Sequence, residues 1–240
     1  MNYSVSERIE RKRNLDYIVN ASIEPLRKLG AVINFEKTSD RAVLNINLPD
    51  EYARLFEQIV ADKIADVIAV NYKYEYFKKH IRTVGVDDLD YEMLIAAIIS
   101  ADLDDDKAYI LNSAISPQDF SIDGFFNFRL RPLKEKWAEI VTYIPTYFNR
   151  EKLYEFISYI ICEKKDKLGV VCDGKVYDRR YNRMLKNFLA GDVKEGAIAR
   201  EIILCGFSEI ALNSKISEID EKYLVRFFGE KIFFKKEKIT

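Results

Sequence analysis

The chain has 240 residues, of which 48% are hydrophobic and 32% charged, with 9 Gly and 5 Pro. That composition excludes a disordered or fibrous protein and leaves enough chain for one large domain or two small ones, with a core that needs no disulfide or metal staple. Net charge is −1 and the isoelectric point is about 6.1, which speaks against a dedicated nucleic-acid binder.

The first half reads as a helix, a hairpin and two long helices. Leu15, Ile18, Val19, Ile23 and Leu26 recur at helical spacing, Pro25 predicts a kink or a division into two pieces, and Gly30 suits the terminator. Ala31–Glu36 and Ala42–Leu48 are β-type runs around Thr38-Ser39-Asp40. Pro49 and Asp50 then open a helix with a stripe from Tyr52 through Phe56, Val60 and Ile64 to Ile68, able to continue to Ile81. Asp87–Glu92 forms an acidic first turn for the next helix, whose centre, Met93–Ala101, is apolar on every side and so is expected to be core.

Ser113–Ser121, with Ser116-Pro117, reads as a linker between units at 1–115 and 120–240 that could share one core. Ile122–Ile144 is helical by pattern, kinked or restarted at Pro132, and Asn149 caps a helix with Leu153, Phe156, Ile157, Ile160 and Ile161 on one face. Gly169–Cys172 and Lys175–Tyr177 flank Asp173-Gly174, a two-residue hairpin signal. Helices are expected from about Tyr181, from Val193 to about Gly206, and from Ser217 to Gly229. Short strands are expected at Glu209–Asn213 and Lys231–Lys236. The fold class is α+β, helix-rich with small antiparallel hairpins and sheets.

Chemistry is sparse. Met93–Ala101, the longest uncharged apolar run, is far short of the ~20 residues a membrane span needs. The charged N-terminus, Glu7 to Arg13, has no apolar leader core, so a cytoplasmic location is expected. Cys162, Cys172 and Cys205 are unevenly spaced, and His80 is the single histidine; neither a disulfide framework nor a zinc site is expected, and no cofactor is. His80 reads as a helix-surface residue, and no nucleotide-binding glycine loop or nucleophile elbow occurs.

Two clusters invite functional readings. Residues 83–106 hold eight carboxylates and no Lys or Arg. Asp102, Asp104 and Asp106 begin like a calcium loop, yet Lys107 and Ser113 stand where its Gly and Glu belong. They remain candidates for a metal-assisted hydrolase, against a solvated acidic surface as the plainer account. Basic-aromatic stretches at 72–79, 125–136 and 175–186 make Arg129, Arg131, Arg179, Arg180 and Arg183 candidates for single-stranded nucleic-acid binding, where rings stack bases and cations meet phosphates.

Gly124-Phe125-Phe126-Asn127-Phe128-Arg129-Leu130, then Tyr154-Glu155-Phe156-Ile157, resembles the YtxC-like sporulation protein family. The order of Ala197–Leu204, Ser208–Asn213 and Leu224–Ile232 is similar to that family's helix–strand–helix–strand ending, and the first half agrees more loosely. The resemblance implies a link to endospore-forming bacteria and carries no biochemical activity. It also implies a histidine where Asn213 stands and a cysteine-bearing tail, whereas this chain ends in 233–240, FFKKEKIT, without either residue. On physical grounds Gly124, Phe125, Asn127, Phe128, Arg129, Leu130, Glu155 and Phe156 read as structural, with Arg129 placed to meet Glu155 in a partly buried pair. The leading expectation is a non-enzymatic sporulation-associated protein that binds a protein partner.

Overall fold

The computed structural model describes residues 1–113, 115–164 and 167–234. In chain order the elements are β1 (Asn2–Arg8), α1 (Lys12–Lys28), β2 (Val32–Lys37), β3 (Arg41–Asn47), α2 (Ala53–Asp66), a π-helical segment (Val67–Tyr72), α3 (Lys73–His80), α4 (Asp88–Ala101) and α5 (Leu103–Asn112). There follow β4 (Asp119–Ser121), α6 (Ile122–Arg129), α7 (Arg131–Tyr143), α8 (Arg150–Cys162), β5 (Leu168–Cys172), β6 (Lys175–Tyr177), α9 (Lys186–Leu189), α10 (Ala197–Leu204), β7 (Glu209–Leu212), α11 (Glu218–Phe228) and β8 (Ile232–Phe234). The fold is α+β and helix-rich. Its sheets are small but mixed rather than antiparallel, because β1–β4, β5–β7 and β7–β8 pair in parallel.

Two compact units are interleaved along the chain: Met1–Lys73 with Leu103–Ile140, and Tyr74–Asp102 with Val141–Thr240. This differs from a sequential division at residues 115–120. The proposed linker is the reason: Ser113–Ser121 ends in β4, which pairs with β1 over Ser4–Ser6 and returns the chain to the first sheet.

The first unit carries a sheet in the order β2-β3-β1-β4. Val5 and Leu44 are opposite one another and fully buried, as are Glu7 and Ala42. α1 runs unbroken past Pro25, which lies in its last turn, and Gly30 (φ +69°) ends it as expected. Phe56, Val60 and Ile64 bury one stripe of α2, whereas Leu55 is exposed. α6 and α7 divide at Leu130, with Pro132 in the first turn of α7, where its missing N–H costs nothing.

The second unit is built around α4, whose residues Met93–Ile99 are all buried, as an all-round apolar helix must be. Its sheet runs β6-β5-β7-β8. Asp173 and Gly174 both take positive φ (49° and 69°) in the β5–β6 turn. The caps read from sequence are present: Asn149 Oδ1 accepts from Lys152 N at 2.9 Å, and Ser217 Oγ from Asp220 N at 3.1 Å. The helix expected from Tyr181 is instead a turn, with Tyr181 itself at φ +61°, and α9 starts at Lys186. Asp178 explains it: Oδ1 accepts from the N–H groups of Arg180 and Asn182, a side-chain turn that competes with helix. Lys235 and Lys236 of the expected last strand lie outside the described residues.

Candidate binding groove between α8 and α11

In the second unit a groove of about 780 Å³ lies between α8 and α11. Arg150, Glu151 and Tyr154 line it from α8; Glu218, Glu221, Lys222, Tyr223, Val225 and Arg226 line it from α11. The volume lies in the range that takes side chains of a partner or a small ligand.

Its rigidity comes from one buried carboxylate. Asp90, in the first turn of α4, is 1% exposed, and its Oδ1 accepts from Tyr223 Oη at 2.7 Å and Tyr154 Oη at 3.0 Å. Arg150 Nε closes the other side, 3.1 Å from Asp90 Oδ2, and also donates to Tyr154 Oη at 2.8 Å. Burial and the Asp90 carboxylate push the Tyr223 hydroxyl well above the usual phenol range; burial chiefly does the same to Tyr154. Both phenols therefore stay protonated donors, and their rings are fixed. Tyr154 meets Phe227 edge-on at 5.6 Å and Tyr223 at 6.4 Å.

Two cations on the groove remain available. Arg226 Cζ sits 5.2 Å from the Tyr154 ring centre and Lys222 Nζ 5.9 Å from that of Tyr223. Among the described residues neither forms an ion pair. They stand four apart on one helix, where like charges repel by about 0.2–0.5 kcal/mol. Val225 beside them is 53% exposed. Cations over ring faces, an exposed valine and the carboxylates Glu151, Glu218 and Glu221 together present an apolar floor with a rim of mixed charge.

The sequence-chosen residues are placed differently. Asp102, Asp104 and Asp106 do not form a ligand set. Asp104 is exposed and Asp102 follows α4, whereas Asp106 is fully buried and already holds three donors. Its Oδ2 takes Lys73 Nζ at 2.7 Å and Trp137 Nε1 at 3.0 Å, and its Oδ1 takes Lys136 Nζ at 2.7 Å. Two ammonium groups occupy the positions a divalent cation would need. Among the described residues no group of three or more His, Cys, Asp or Glu side chains could hold a metal ion. His80 lies on the surface of α3, stacked on Tyr76 at 4.2 Å.

Arg179, Arg180 and Arg183 are all exposed on the turn after β6, and none forms an ion pair among the described residues. Tyr181 beside them is 61% exposed, 6.3 Å from the Tyr177 ring. In the first unit, Arg131 is committed to Glu135 at 2.8 Å, and Arg129 is exposed. Glu155, in the second unit, is exposed as well, so neither it nor Arg129 belongs to a buried pair.

The family-like motif is structural in its visible contacts. Ser121 Oγ caps α6 by accepting from Gly124 N at 3.2 Å, and a Cβ on Gly124 would stand 2.9 Å from that oxygen. Phe125 meets Phe120 at 5.1 Å, Phe126 stacks on Trp137 at 5.7 Å, and Leu130 is fully buried. Phe156 meets Phe148 at 5.7 Å. Asn127 and Phe128 are exposed, Phe128 by 86%.

Sequence reasoning missed the buried ionic centres. Arg200, fully buried on α10, donates to Glu92 Oε2 at 2.6 Å, and also to Asn187 Oδ1 and the Ala190 carbonyl. Glu201 accepts from the backbone N–H groups of Lys186 and Asn187, both at 2.7 Å, and so caps α9; burial raises its pKa. The signal was visible as Arg200-Glu201 inside the apolar run Ala197–Leu204. In the first unit Glu7 is fully buried and accepts from Asn14 Nδ2 at 3.1 Å and Tyr72 Oη at 2.8 Å. Each of these groups is held by internal partners, with Arg200 Nε left without a hydrogen bond among the described residues, so they hold the fold.

No protein-family model, curated protein or solved structure matches this chain. Among the described residues no helix is long and apolar enough to cross a membrane.

Proposed function

We propose that this chain is a non-enzymatic binding protein, akin to the YtxC-like sporulation proteins, that works in the cytoplasm by engaging a protein partner through the groove between α8 and α11. The observation that carries the reading is the pair Lys222 and Arg226, held over the rings of a rigid apolar floor without an anionic partner of their own. A partner segment with an apolar side chain for the floor and an acidic one for these cations satisfies both features. The mixed rim suits a peptide better than a polyanion, since Glu151, Glu218 and Glu221 oppose a concentrated negative charge. The test is recovery of the tagged protein from sporulating cells, with Val225→Glu and Arg226→Glu as comparators. A partner retained by the native chain and lost from both variants supports the reading; equal recovery from all three removes it.

A second reading is favoured by Arg179, Arg180 and Arg183, exposed together beside Tyr177 and Tyr181: nucleic-acid binding by the turn after β6. It requires affinity for single strands that falls steeply with salt and drops when the three arginines are replaced by Gln.

A further inference from the structure

β2 is a six-residue edge strand that neither face of the sheet conceals. Val32 is 58% exposed, Phe35 39%, and only Ile33 is half-buried. Edge strands are ordinarily blunted by a proline, a bulge, an inward charge or a covering element. Val-Ile-Asn-Phe-Glu-Lys has no proline and pairs with β3 residue for residue without a bulge; its core-facing charge, Lys37, stands only at the last position, and Lys12 Nζ of α1 lies 5.1 Å from the Phe35 ring centre.

Which groups the free edge offers follows from the hairpin. Thr38 N donates to Arg41 O at 2.8 Å, so that pair is hydrogen-bonded. Alternation then directs the polar backbone of Glu36, Asn34 and Val32 toward β3 and that of Lys37, Phe35 and Ile33 outward. Ile33, Phe35 and Lys37 stand opposite Ile46, Leu44 and Ala42, all buried, so they extend the core face of the sheet beyond its covered part.

We infer that β2 is a self-association edge, where the β2 strands of two copies of this chain pair antiparallel across a two-fold axis at Phe35 and join two four-stranded sheets into one of eight. This register matches the outward hydrogen-bonding positions of the two strands. Phe35 faces Phe35 of the second copy and Ile33 faces its Lys37, the pairs that exchange backbone hydrogen bonds; Asn34 faces its Glu36 between them. No like charges are opposed, an aromatic pair sits on the axis, and the core-face row through it runs Leu44, Phe35, Phe35, Leu44. A symmetric patch of this kind closes at two copies. Strand pairing alone spans far fewer than the ~20–30 residues per side of a standard interface, so the dimer is reversible and concentration-dependent.

The test is sedimentation equilibrium of the full chain over a concentration series up to about 300 µM, a range that covers weak association. The native chain is expected to dimerise. Phe35→Glu, which sets two carboxylates on the axis, is expected to weaken dimerisation by up to about fivefold, the size of one cross-strand pair. Phe35→Leu keeps an apolar pair and is expected to keep the dimer. Circular dichroism confirms that both variants are folded. A native chain that stays monomeric throughout, or a dimer that a folded Phe35→Glu variant leaves unchanged, overturns the inference.

Discussion

Lys73 Nζ lies 2.7 Å from Asp106 Oδ2 with both side chains fully buried. The carboxylate that the acidic sequence run offers most readily as a metal ligand is thus half of an internal ion pair. Lys136 and the Trp137 indole complete its coordination by donors. The same economy recurs in the second unit, where Glu92 serves Arg200 and Asp90 serves two tyrosines. Asp90, Glu92 and Asp106 of the acidic run are thus fixed in the interior by donors of their own.

Asp106→Asn leaves the Lys73 ammonium buried beside an uncharged amide, and breaking a buried pair from one side costs about 3–5 kcal/mol. Chemical denaturation should show that loss. Thermal melts of the native chain should be unmoved by Mg²⁺, Mn²⁺ or Ca²⁺, because a ligand that binds the native state would raise stability. A metal-dependent rise in Tm would restore the hydrolase reading.

Asp90→Asn weakens the floor of the groove. The amide keeps the shape of the carboxylate and one oxygen for Tyr154 and Tyr223, but loses the charge and the Oδ2 acceptor that face Arg150. A destabilisation of about 2–4 kcal/mol is expected for a buried, hydrogen-bonded charge. Equilibrium unfolding measures it, and a change below about 0.5 kcal/mol, the size of an ordinary surface effect, would mean that Asp90 does not organise the site.

Asp123 and Glu7, both in the first unit, make opposed contributions to stability against pH. Arg41, Ser121 and Arg8 hold Asp123 at about 2, below its ordinary 3.8, although burial works the other way. Its stabilisation is present above the unfolded value and is lost as pH falls through about 2; it is worth at most about 2 kcal/mol. Burial raises Glu7, against the hydrogen bonds that favour its charge, so its contribution is full below the unfolded value and is lost as pH rises through the folded one. Asp123→Asn should reduce the acid limb of the stability profile, to which Asp62 beside Lys107 and Lys63 also contributes, and Glu7→Gln should remove the decline on the less acidic side. An unchanged acid limb in Asp123→Asn would place its origin elsewhere.

Legibility in the sequence followed how local the cause was. The Asp173-Gly174 hairpin, the Asn149 and Ser217 caps and the all-apolar α4 each depend on neighbours within a few residues, and each is present. β1 is weakly marked because the charged run Glu7 to Arg13 follows it at once, although Tyr3 and Val5 alternate with Ser4 and Ser6 as in a half-buried strand. β4 reads as linker in the sequence because three residues give too short a pattern; only β1, over 110 residues away, makes them a strand. The groove was not foreseen, since Asp90, Tyr154 and Tyr223 are 64 and 133 residues apart for the two bonds that join them. Nothing in a one-dimensional pattern distinguishes Asp106, buried, from Asp104, exposed, two positions earlier.

The central claim is that the α8–α11 groove takes a protein partner, and site-specific photo-crosslinking tests it most directly. A photoreactive amino acid at Val225, with a second version at Tyr181, is illuminated in sporulating cells. The groove reading predicts one discrete protein adduct at Val225 that Arg226→Glu abolishes. No protein adduct at Val225, or a nuclease-sensitive adduct at Tyr181 alone, would contradict it and move recognition to the arginine turn.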